Sequence, residues 1–281
     1  MTTIEPRVLL DGLAYVESPR WHDGRLWFAH WGANEIVAVD LDGRAEVAAP
    51  GPDGLGWSFD FLPDGRLLVT GERLLRHDPD GVVRPHASVG GAEIVVDASG
   101  NAYVNGFAFD FLGGDAPSPG WIDRVTPDGE VRRVADGLQF PNGMAISQDG
   151  RTLVVAESFA GCLTAFDVDP DGGLSGRRVL ADGLGPDGIT MDAAGAVWTH
   201  AAKEEGATGG DTCVRVLDGA VTHRVPLVQF GFAAMLGGPD GRSLFLCEAD
   251  WRGIEGVEKA IADRTGRILV ADAPHPHAGR P

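Results

Sequence analysis

Short apolar runs recur along the whole chain, each set off by a dipeptide that ends in glycine. Leu26-Trp27-Phe28 follows Asp23-Gly24, Leu67-Leu68-Val69 follows Asp64-Gly65, and Ala102-Tyr103-Val104 follows Ser99-Gly100. Leu153-Val154-Val155 follows Asp149-Gly150, Val197-Trp198 follows Ala194-Gly195, and Leu244-Phe245-Leu246 follows Asp240-Gly241. Runs rich in β-branched and aromatic residues, bounded by such turns, predict strands joined by hairpins. The stretch 140–158 shows the unit most fully. Met144-Ala145-Ile146-Ser147 alternates apolar with small, Gln148-Asp149-Gly150 turns, and Thr152 to Ala156 returns, which leaves Asn142 at the mouth of the first strand.

The spacings between the six turn glycines are 41, 35, 50, 45 and 46 residues, a period typical of propellers built from one sheet per repeat. Most copies carry a second turn, at Asp42-Gly43, Asp80-Gly81, Asp128-Gly129, Asp171-Gly172 and Asp218-Gly219, with a further run on either side. The prediction is therefore all-β: a six-bladed β-propeller with four antiparallel strands per blade, one domain over residues 1–281. After Arg267-Ile268-Leu269-Val270-Ala271 the last copy has no fourth strand, while Arg7-Val8-Leu9-Leu10 has no blade. Pairing this N-terminal strand with the last blade would close the ring and cover both edges. Ile254 to Asp263 reads as a short exposed helix or loop, and Ala273 to Pro281 as a surface tail with His275 and His277 in solvent.

Composition narrows the partners. The 41 Gly and 18 Pro are scattered, as many short strands require, and the formal net charge of −18 repels phosphate backbones and anionic membranes. Neither nucleic acid nor a membrane is expected; no apolar run reaches the roughly 20 residues of a membrane span. Met-Thr-Thr-Ile-Glu-Pro-Arg has no signal-peptide pattern, so a cytoplasmic location is expected. Cys162, Cys213 and Cys247 are odd in number and far apart, and are expected as buried, inert thiols. Oligomeric state leaves no mark on the sequence.

In a propeller the innermost strands start around one channel, so residues at one offset before each first turn converge. Counting back seven or eight from the turn glycines gives Glu17, Trp57 and Ser58, Ala92 and Glu93, Asn142, Asp187 and Gly188, and Ala233 and Ala234. Oxygen ligands without thiolates or a His cluster suit one divalent cation, Ca²⁺ first, with Mg²⁺, Mn²⁺ or Zn²⁺ as alternatives. Glu17, Asn142 and Asp187 are the predicted ligands. The plain alternative is turn chemistry, since Asn142-Gly143 and Asp187-Gly188 are favoured turn dipeptides.

Val16-Glu17-Ser18-Pro19-Arg20-Trp21, Phe140-Pro141-Asn142-Gly143-Met144 and Gly185-Pro186-Asp187-Gly188-Ile189 resemble the three signatures of the SMP-30/gluconolactonase/LRE family of six-bladed propellers. The resemblance implies that Glu17, Asn142 and Asp187 bind one divalent metal and that Asp187 also serves as acid or base. One segment departs from the pattern. Where sugar-lactone members show Arg-Xaa-Asn-Asp, with the Arg and Asn on the substrate, this chain has Gly90-Gly91-Ala92-Glu93. Glu93 then stands as an added ligand or base, or as a carboxylate behind the site.

Aromatic residues crowd the expected mouth: Trp57, Phe107, Phe109 and Phe232 are the predicted substrate contacts, with Trp31, Phe59, Phe111, Phe140 and Phe230 nearby. His30 and His200 end second strands and are expected in the core or at the surface. The expected activity is metal-assisted hydrolysis of a cyclic ester on a small molecule, with Asp187 or Glu93 handling water's proton. Phosphotriester hydrolysis, a cyclase or isomerase reaction, and a non-catalytic binding scaffold are the alternatives.

Overall fold

The structure, a computed structural model, describes residues 1–201 and 212–280. Six sheets form the blades of the propeller. The first runs Val16–His22, Arg25–His30, Glu35–Val39 and Ala45–Pro50, each strand antiparallel to the next. The second to fifth blades begin on Phe59–Phe61, Ile94–Val96, Pro141–Ile146 and Thr190–Met191 and meander outward in the same way. Phe230–Gly237, Ser243–Ala249 and Gly266–Asp272 start the sixth, and its outer strand is Arg7–Leu13, with Arg7 opposite Val270 and Val8 opposite Leu269. Among the described residues no helix is long and apolar enough to cross a membrane.

The periodic turns behave as their composition dictates. At Gly150 the backbone is left-handed, φ 70°, a conformation that costs glycine nothing and lets the flanking strands pair directly; the other five first-turn glycines also have positive φ. Inner strands are buried along their length, whereas the outermost strands, such as Leu174–Ala181, face water. The core therefore lies between blades. Phe28 and Val37 of the first blade pack on Met235 and Phe245 of the sixth, and Ala145 and Val154 of the fourth pack on Ile189 and Val197 of the fifth. Each of the larger side chains among them, removed from water, contributes about 1.5–3 kcal/mol.

Two segments depart from expectation. The helix Val257–Asp263 is present but only partly exposed: Ala260 is buried, and Val257 and Ile261 pack against Tyr15 and Phe232 at the pocket. The C-terminal residues do not hang in solvent. Ala193 N donates to Pro276 O at 2.8 Å, His277 N to Gly241 O at 2.7 Å, and Arg280 N to Ile146 O at 2.8 Å. The tail thus crosses the far ends of the sixth, fifth and fourth inner strands, with Ala273 and Ala278 buried and His275 and His277 half-buried. Backbone groups that would otherwise end unpaired at the bottom of the ring find partners there, which explains why an apparently structureless stretch is ordered.

Candidate active site

At the opposite end of the ring, where the inner strands begin, a cavity of about 630 Å³ opens to solvent. Glu17, Glu93, Asn142 and Asp187 all line it, so the offset argument has brought together residues from the first, third and fourth blades and from the segment leading into the fifth. Among the described residues no three His, Cys, Asp or Glu side chains are arranged to hold a metal by themselves. The predicted set carries two carboxylates and an amide, which such a grouping does not include.

The glycines that follow Asn142 and Asp187 explain how the inner strands come so close. A Cβ on Gly143 would fall 2.7 Å from the Asp187 carbonyl oxygen and 2.7 Å from Gly188 Cα; one on Gly188 would lie 2.4 Å from Ala233 Cβ. Neither glycine has positive φ. These are close approaches between neighbouring blades, not turns, and any side chain there would push Asn142 and Asp187 apart. Hydrogen bonds complete the alignment. Asn105 Nδ2 donates to the Asn142 carbonyl at 2.6 Å, Asn142 Nδ2 to Ser158 Oγ at 3.3 Å, and Ser158 Oγ to Pro186 O at 2.7 Å, which ties the Asn142 strand to the segment carrying Asp187.

Glu17 sits between two residues in left-handed conformations, Tyr15 at φ 55° and Ser18 at φ 51°. Phe140, two residues before Asn142, is also at φ 55°. Side chains with a Cβ resist this region, and the strain is stored beside the carboxylate and the amide. Glu17 Oε2 accepts from its neighbour's amide, Ser18 N. Glu93 is held on both oxygens, by Ser18 Oγ at 3.2 Å and Ser58 Oγ at 3.1 Å, and lies 3.8 Å from Arg20 NH2. Arg20 is itself buried, donates to Ile94 O at 2.8 Å and stands 3.7 Å from Asp60, so it joins the first three blades beneath the acids.

The electrostatics follow from this crowding. Burial, then the charge of Glu93, lifts Asp187 to about 8, against the lowering pull of the Asn142 amide and the Gly188 N–H. Glu17 is raised by burial and by Asp187 and Glu93. Glu93 is raised by burial although Arg20 and the two serines oppose it. Glu17 and Glu93 are buried and Asp187 half-buried, so their crowded negative charge is one that a divalent cation would relieve, and the hard oxygen donors of Glu17, Asn142 and Asp187 match such an ion. The residues fit the group.

Above the acids the walls are aromatic. Phe107, Phe109 and Phe232 line the cavity, as do Trp31, Phe111, Phe140 and Phe230. Trp57 does not: it is 2 % exposed, packs on Phe59 and Ile36, and donates its indole N–H to Gly54 O. Its carbonyl accepts from Trp31 Nε1 at 2.7 Å, so it supports the wall without facing the cavity. Sequence reasoning missed Tyr15, Phe159 and Trp251, which also line it. His30 is buried, with Nε2 accepting from Ala14 N at 2.9 Å, and His200 is buried away from the cavity. All three cysteines are free and buried, with burial raising their thiol pKa values.

Comparison with known proteins agrees with the fold. Residues 15–250 match the model of the SMP-30/Gluconolactonase/LRE-like region. A pentonolactonase of Haloferax volcanii is 29% identical over 91% of this chain and 90% of its own length. The calcium-binding protein regucalcin from Agrobacterium tumefaciens superposes with a TM-score of 0.76 at 19% identity, covering 99% of each chain. A gluconolactonase from Xanthomonas campestris superposes with a TM-score of 0.69 at 21% identity, over 95% of this chain and 89% of that one. At such identities the two structures share the fold.

Proposed function

Because the chain belongs to the SMP-30/gluconolactonase/LRE-like family, we propose that it is a hydrolase that opens lactones, with a divalent cation held by Glu17, Asn142 and Asp187. The observation that carries this reading is the convergence of those three residues on the floor of one cavity. When bound, the ion supplies a Lewis acid for the ring carbonyl and an orienting point for the substrate. Asp187 takes the proton of the attacking water and returns it to the ring oxygen as the acyl C–O bond breaks, so that water is added and a hydroxy acid leaves. Glu93, engaged on both oxygens, acts from behind by tuning the charge felt at Asp187.

The test is hydrolysis of a panel of lactones by purified protein, before and after chelation and again with Ca²⁺, Mg²⁺, Mn²⁺ or Zn²⁺ restored. Activity that disappears with chelator and in Asp187→Ala, while the circular-dichroism spectrum is unchanged, is the expected result. Full turnover in Asp187→Ala would remove that residue from the mechanism. Phosphotriesters belong in the same panel, because an aromatic mouth suits apolar esters of either kind.

A further inference from the structure

The acids and the Asn142 amide lie where the inner strands begin, and apart from Asp110 and Ser158 the rest of the wall is made chiefly of rings. Phe140 is the hub. Its ring lies 4.6 Å from Phe107 and 4.4 Å from Phe159, both stacked, and 5.1 Å and 5.9 Å from Phe111 and Phe109. None of these five belongs to a core cluster, and Phe159 is 48% exposed. Apolar surface left open inside a concavity, and not used to hold the fold together, is the mark of a ligand site. Across the cavity Phe230, Phe232 and Trp251 form a second group of rings.

The remaining side offers no polar side chain to a hydroxyl. Gly90, Gly91 and Ala92 line the cavity with backbone and one methyl. A polyhydroxylated ring would press most of its hydroxyls against phenyl faces and lose their hydrogen bonds to water without replacement. A bare five-membered lactone would leave most of the 630 Å³ empty, whereas roughly 300–1,000 Å³ is the usual size of a site for a drug-sized ligand.

We propose that the substrate is a lactone bearing an aryl or extended apolar substituent. The ring carbonyl sits over Glu17, Asn142 and Asp187, and the substituent lies between the Phe140 cluster and the Phe232 side. The proposal rests on the lactone-opening reading of the same site.

The experiment separates the two. Using full-length protein with Ca²⁺ supplied, kcat/KM is measured for γ-phenyl-γ-butyrolactone, γ-butyrolactone and a pentono-1,4-lactone. Binding of 5-phenyl-2-pyrrolidinone and 2-pyrrolidinone, lactams that resist hydrolysis, is measured by calorimetry. A preference of at least about tenfold for the phenyl compound in both series is expected, the order of gain for burying one ring. Phe159→Ala, at an exposed rim position, is expected to reduce that preference severalfold. A preference for the pentonolactone, or equal binding of the two lactams, would overturn the inference. Tighter binding of the phenyl lactam without opening of any lactone would support the apolar pocket and sink the lactonase reading instead.

Discussion

Arg215 grips Asp192 with two prongs, Nε to Oδ2 at 2.6 Å and NH2 to Oδ1 at 3.2 Å, and both side chains are shut away from water. Asp192 Oδ1 also accepts from Ala194 N and Ala196 N, so one carboxylate fixes both the first turn of the fifth blade and the strand pair behind it. Removing one partner of a buried pair strands the other charge. Arg215→Met is expected to lower the unfolding free energy by about 3–5 kcal/mol. Urea melts of the two proteins check this; a loss under about 1 kcal/mol would mean that water reaches the pair.

Tyr15 makes the opposite case. Its ring is packed on Phe232 and Trp251, yet its hydroxyl has no hydrogen-bond partner among the described residues, and burial with the nearby Asp250 and Asp187 pushes its pKa up. Tyr15→Phe removes an unpaired buried group and is expected to raise stability by about 1 kcal/mol, roughly 2 °C in a chain of this size. A thermal melt that falls instead would show that the hydroxyl is satisfied in solution.

His200 gives the fold a pH dependence of predictable sign. Burial depresses its imidazole from 6.5 to about 4, and neither ring nitrogen has a partner among the described residues. The unfolded chain therefore takes up a proton at this residue near pH 6.5, and the folded one only near pH 4. Its contribution is complete above pH 6.5, declines as pH falls between the two values, and is constant below both; at most about 3 kcal/mol is at stake. Plotting stability against pH for the native protein and for His200→Leu should give a shallower slope in the variant between about pH 6.5 and 4. Parallel curves would place the titration elsewhere.

Glu93→Gln keeps the length of the side chain and can still meet Ser18 and Ser58, but it leaves Arg20 facing one fewer acid. If Glu93 supports the proposed ion from behind, cation affinity should drop about 10–100-fold, the usual cost of altering an outer partner of a ligand. Competition with a chelator reads that affinity without reference to turnover. Unchanged affinity would separate Glu93 from the ion.

The repeat was plain in the chain because Asp-Gly turns and β-branched runs are local signals, and a propeller multiplies them. The floor of the site was legible for the same reason: equal offsets in equivalent blades end at one axis. The meaning of Gly143 and Gly188 was not, since Asn-Gly and Asp-Gly look like turns until the neighbouring blade is seen to leave no room for a Cβ. Trp57 misled because an offset locates the Cα and not the direction of the ring. Two of the missed aromatics, Phe159 and Trp251, had a signal of their own, one they share with residues already expected at the mouth. Trp31, Phe107, Phe159 and Trp251 each stand one or two residues beyond the second strand of their blade, so counting from that strand's end would have found the wall. The tail escaped because its order comes from backbone bonds to distant strand ends, which leave no pattern in composition.

Arg20 lies beneath the acids and the strap of residues 273–280 crosses the far ends of three inner strands, while the cavity opens at the other end of the ring among phenyl rings. A guest that leaves by that mouth passes the rings it met on entry. On the proposed reading, the rim aromatics that favour an apolar guest would also govern how quickly the charged acid made from it escapes.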